Sequence, residues 1–77
     1  GLQGGTLAEA VAQLQQAVAL RPDFVMYRLE LARALERDGK AAEARRELEQ
    51  VPRLPDQEPG DAQRRREAAQ LLASIRG

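Results

Sequence analysis

Six of the fourteen residues from Gly5 to Val18 recur unchanged 34 positions further on. The stretches read GTLAEAVAQLQQAV and GKAAEARRELEQVP. They match Gly5 with Gly39, Ala8 with Ala42, Glu9 with Glu43, Ala10 with Ala44, Leu14 with Leu48 and Gln16 with Gln50. An internal period of ~34 residues belongs to arrays of helix pairs, in which each unit leaves an apolar face that only a neighbouring unit covers. The chain has 77 residues, room for one small domain that buries only about 60% of its unfolded surface. Such a core is marginal unless something else supports it.

Helix signals run along the whole chain. Thr6-Leu-Ala-Glu9 has the form of a capping box, opening a first helix that reaches about Leu20 and stops before Pro22. Leu7, Val11, Leu14 and Val18 form one apolar stripe, and Ala10, Leu14 and Ala17 a second beside it, so a broad buried face is expected. Asp23 is the expected cap of a second helix, roughly Phe24 to Asp38, which Gly39 closes in the left-handed conformation. A third helix covers about Ala41 to Val51, with an apolar stripe of Ala41, Ala44, Leu48 and Val51 and an i,i+4 pair of Arg45 with Glu49. Pro52, Pro55, Pro59 and Gly60 make residues 52–60 a stiffened loop. Asp61 is the expected cap of a fourth helix that runs to about Ile75, with Ala68, Leu71, Leu72 and Ile75 on its apolar side.

Composition narrows the function classes. Lys+Arg and Asp+Glu both number twelve, so no net field draws the chain to nucleic acid or anionic lipid. No nucleic-acid and no membrane partner is expected, and no apolar run approaches the ~20 residues that span a bilayer. Arg64, Arg65 and Arg66 form the densest positive patch, but without interleaved aromatic groups. Pairing with Asp56, Glu58, Asp61 and Glu67 is the simpler expectation for them. There is no cysteine, histidine or asparagine, and the only hydroxyls are Thr6, Tyr27 and Ser74. A nucleophile beside a base cannot be assembled from this set. Neither an enzyme nor a cofactor nor a metal site is expected. Glu43 and Glu47, one turn apart, read as solubilising surface carboxylates.

On these residues the chain resembles the tetratricopeptide repeat family. Leu31, Ala32, Leu35, Gly39, Ala44, Leu48 and Val51 match the signature positions of one complete unit, and Gly5, Ala10, Leu14, Ala17 and Pro22 those of the unit before it. The resemblance implies an all-α fold, an antiparallel helix-turn-helix solenoid of about four helices. Residues 1–77 then form a single domain: 6–20 is the second helix of a truncated first repeat, 24–51 a complete repeat, 52–60 a proline-rich loop, and 61–75 a capping or degenerate third-repeat helix. Three departures stand out. Arg28 occupies a position usually held by a large aromatic or aliphatic residue, Asp56 replaces a closing proline, and the loop is about three residues longer than the period allows. Gly1 falls in register at the end of a helix that is not present, which implies a C-terminal fragment of a longer array.

The resemblance also implies a function. Family members hold protein or peptide partners in a groove lined by the first helix of each unit. The corresponding positions here are Met26, Leu29, Glu30, Arg33, Glu36 and Arg37. Arg33 and Arg37 share a helical face, so two guanidinium forks could grip an acidic partner. The competing reading is a solvated face on which Glu30 and Glu36 neutralise the arginines. Leu29 and Arg33 stand where the chaperone-binding subset carries Lys and Asn, which argues against that activity. The expected function is thus an adaptor or scaffold module. The alternative is a structural cap or self-association segment, a homodimer formed through the exposed apolar face of Leu7, Val11 and Leu14.

Overall fold

The computed structural model describes residues 6–75. Gly5, the expected counterpart of Gly39, and Gly1, at the expected helix end, lie outside the described residues. Those described form four α-helices, α1 (Leu7–Leu20), α2 (Val25–Arg37), α3 (Ala41–Gln50) and α4 (Asp61–Ser74), with a 3-10 turn at Val51–Arg53 and no strand. The fold is all-α, as the helical periodicity requires.

The capping box closes as its sequence dictates. The Thr6 hydroxyl accepts from the Glu9 amide at 3.1 Å, and Glu9 accepts from the Thr6 amide at 2.8 Å. Gly39 adopts φ 77° and ends α2 in a Schellman motif: the Lys40 amide donates to Leu35 O and the Gly39 amide to Glu36 O. Other expected end signals are corrected. Phe24, not Asp23, precedes the first turn of α2, and no side chain caps that end. Phe24 is instead buried, with Arg21 over its ring at 4.1 Å and Tyr27 edge-on at 4.7 Å. Asp61 does not cap α4; it is the first helical residue, and its carboxylate reaches back to amides in the loop.

Helix α2 is the centre of the molecule and packs against α1, α3 and α4. Val25, Leu29, Leu31, Ala32 and Leu35 on α2, with Ala44, Leu48 and Val51 on and after α3, are at most 2% exposed. Ala32 and Ala44 are both fully buried, in keeping with small residues that let two helices approach closely. Arg28, near the start of α2, donates to Glu47 near the end of α3 at 2.8 Å, so the two helices run antiparallel. Its Nε also binds Pro22 O. The position where a large apolar residue was expected is therefore filled by a guanidinium that ties the α1–α2 turn to α3.

Helix α4 is joined to the rest by polar bonds as much as by Ala68 and Ile75. Arg45 does not pair with Glu49; it donates to Ile75 O at 2.9 Å and fixes the end of α4 to α3. Arg65 donates to the carbonyls of Val51 and Leu54 and to Asp56, which holds the 3-10 turn and the segment after it. The arginine run is thus structural: Arg64 pairs with Asp61 and Glu58, Arg65 with Asp56, and Arg66 binds Gln63.

Candidate binding cleft between α2 and α4

A cleft of about 340 Å³ lies between α2 and α4. One wall carries Met26, Leu29, Glu30 and Arg33, four of the six residues expected to bind a partner. The other carries Gly60, Gln63, Arg64 and Glu67. Helical spacing explains the first wall, since residues three and four apart share a face. Leu29 corrects the expectation of an exposed apolar contact: at 1% exposure it forms the floor of the cleft and belongs to the core. Met26 is half-buried and Glu30 exposed. Glu36 and Arg37 are exposed and lie outside the lining.

Arg33 does not form a free fork with Arg37. One terminal nitrogen binds Glu30 at 3.0 Å and the other binds Glu67 across the cleft at 2.8 Å. The competing reading, local neutralisation by Glu30, therefore holds for Arg33, with Glu67 as the second partner. The Arg33 bond is the largest cause holding the Glu67 carboxyl below its ordinary value, with Gln63 adding to it and burial opposing. Both side chains are more than a third exposed, and solvent screens ion pairs of that kind so that they contribute little to stability.

Below the cleft, Asp61 is 1% exposed and organises the loop. Its Oδ2 accepts from the Gln57 and Glu58 amides at 2.8 and 3.0 Å, and its Oδ1 accepts from Arg64 at 3.0 Å. The Gln57 amide is the chief cause of its lowered pKa; the Glu58 amide and Arg64 add to it, against the raising effect of burial. Gln57 also donates to Asp23 O, tying the loop to the start of α2.

A second cavity of about 360 Å³ opens between the end of α3 and α4, and is walled mainly by Leu48, Val51, Ala68, Ala69 and Leu72. The expected self-association residues differ in exposure. Leu7 is 37% exposed and Leu14 half-buried, but Val11 is only 5% exposed and packs into the core, so it is unavailable to another chain. Sequence reasoning missed the α4 wall of the cleft. Among the described residues, no cluster of His, Cys, Asp or Glu could hold a metal ion, and no helix is long and apolar enough to cross a membrane.

Comparison with known proteins corrects the family. No curated protein and no solved structure matches the chain. The family model that matches is RMD1-3, Regulator of microtubule dynamics protein 1-3, over residues 1–76, and not a tetratricopeptide family. The resemblance rested on small and apolar residues at helix crossings, which close helix packing demands whatever the family. At the positions that depart from the tetratricopeptide pattern, Arg28 is an ion-pair residue, and the long loop is built around Asp61 and Arg65. The chain belongs to the RMD1-3 family, Regulator of microtubule dynamics protein 1-3.

Proposed function

We propose that this chain is a protein-interaction module that receives a protein or peptide segment in the α2–α4 cleft, and that the partner belongs to the microtubule system for which its family is named. The observation that carries the reading is the cleft's construction. An apolar floor of Leu29 and Met26 lies beneath an ion pair, Arg33–Glu67, that spans the two walls and is solvent-accessible. An apolar side chain of the partner displaces water from the floor, and its polar groups exchange with the ion pair. An acidic group on the partner competes with Glu30 and Glu67 for Arg33, or reaches Arg37 one turn further along α2.

The same reading takes the chain as non-catalytic. Two of the three hydroxyls bond to the backbone, Thr6 accepting from the Glu9 amide and Ser74 donating to Leu71 O, while the Tyr27 ring packs edge-on against Phe24.

Co-sedimentation with polymerised tubulin tests the proposal. The wild-type chain should pellet with polymer. Met26→Glu, which leaves the ion pairs intact, and Arg33→Glu/Arg37→Glu should each bind at least ~10-fold more weakly, a loss of ~1.4 kcal/mol. Equal pelleting by all three chains would exclude the cleft, and no pelleting of the wild type would exclude the polymer as partner.

A further inference from the structure

The α2–α4 cleft already holds one carboxylate, and it comes from the cleft's own wall. Glu67 accepts from Arg33 at 2.8 Å through one oxygen and from Gln63 at 3.2 Å through the other. Both donors line the cleft, as Glu67 itself does. The Arg33 bond is the main cause of the lowered Glu67 pKa, and Gln63 and the charge of Arg64 lower it further. This carboxylate therefore answers to both guanidinium groups of the lining.

The two arginines differ in what holds them. Arg64 donates at 3.0 Å to Asp61, which is 1% exposed, and reaches Glu58 as well. Its guanidinium lies close over Gly60, where a Cβ would come within 3.1 Å of it. That group is committed to the loop. Among the described residues, the Arg33 side chain is bound by Glu30 and Glu67 alone, and these are 48% and 35% exposed. Glu30 sits one turn away on the same helix, whereas Glu67 reaches Arg33 from the opposite wall. Arg33 is the cation that the cleft can offer to a partner, and Glu67 stands on it from across.

We infer that Glu67 is a built-in competitor: its carboxylate occupies the seat on Arg33 and Gln63 that a Glu or Asp side chain of the partner takes on binding. This rests on the α2–α4 cleft as the binding site, and it adds the partner's chemistry and the restraint upon it. A tethered group competes at an effective concentration of about millimolar, so an isolated acidic group meets an occupied seat. A segment that also covers Met26 and Leu29 gains from apolar burial and displaces Glu67. The displaced carboxylate loses little, because its position is open to water. The lining carries two arginines and two glutamates, so Glu67→Gln empties the seat of charge and leaves the lining net positive.

Titration with three terminally blocked peptides, Leu-Glu-Leu, Leu-Gln-Leu and Leu-Lys-Leu, tests this, read by NMR at the Met26 methyl group. The acidic peptide should bind Glu67→Gln ~3-fold more tightly than the wild type, the scale of one screened ion pair. The neutral peptide should bind both chains alike. Glu36→Gln makes the same charge change outside the lining and should behave as wild type; circular dichroism checks that both variants keep their helicity. Unchanged or weaker binding of the acidic peptide by Glu67→Gln overturns the proposal and makes the bridge a part of the wall. An equal gain for Glu36→Gln overturns it in favour of net charge. A wild type that prefers the lysine peptide to the acidic one overturns it in favour of a basic partner. No shift at Met26 with any peptide removes the cleft itself as a site, and the proposal with it.

Discussion

Leu14→Ala and Leu48→Ala make the same chemical change at equivalent positions of the repeat, yet their costs should differ severalfold. Leu48 is 1% exposed between α2 and α4. Truncation there removes three carbons from full burial, ~2.4 kcal/mol at ~0.8 per carbon. The cavity left behind raises the total to ~3–4 kcal/mol, within the range measured for buried leucines. Leu14 is half-buried, with solvent on the side that α1 leaves uncovered, so about half the transfer free energy is lost and water fills the space. That cost is ~1 kcal/mol.

A domain of this length has a total stability of ~4–12 kcal/mol, so Leu48→Ala can come close to unfolding it. Urea titrations followed by circular dichroism, with an osmolyte added to both variants and to the wild type, keep all three measurable. They belong at low protein concentration, so that association between chains does not enter the comparison. Equal losses for the two substitutions at low concentration would refute the reasoning that an extra neighbouring helix, rather than residue type or repeat register, sets the burial.

Two further substitutions probe the loop and the α2–α3 turn. In the folded state Asp61 and Glu67 both lie below their ordinary values of 3.8 and 4.5. Their stabilisation is therefore present above those values and is lost as the pH falls through the lower folded-state pKa values. Wild-type stability should decline on acidification through that range, while Asp61→Asn is less stable at pH 7 and shows a shallower acid limb; parallel acid limbs for the two chains would exclude Asp61 as the loop's organiser. Gly39→Ala places a Cβ at φ 77° with open space around it, so its ~1–2 kcal/mol cost in urea unfolding is backbone strain alone. A neutral outcome would mean that the turn relaxes out of the Schellman geometry.

Local pattern made much of the architecture legible. The capping box at Thr6 and Glu9, the glycine closure at Gly39, the four helical segments and the proline-rich interruption all follow from short-range rules, and the helix ends agree to within a residue or so. One wall of the cleft was legible too, because Met26, Leu29, Glu30 and Arg33 share a helical face by spacing alone. The family was not: small residues at helix crossings answer to packing and are common to many helical proteins.

Only the tertiary structure decided what depends on partners distant in sequence. Arg28 and Arg45 find Glu47 and Ile75 O on α3 and α4, and Asp61 turns from the helix it starts to the loop before it. Arg33 is bridged by Glu67, 34 residues away. Periodicity assigns a side chain to a face, but the burial of that face depends on which helices lie against it. That is why Leu14 and Leu48, identical in the repeat, end half-buried and buried.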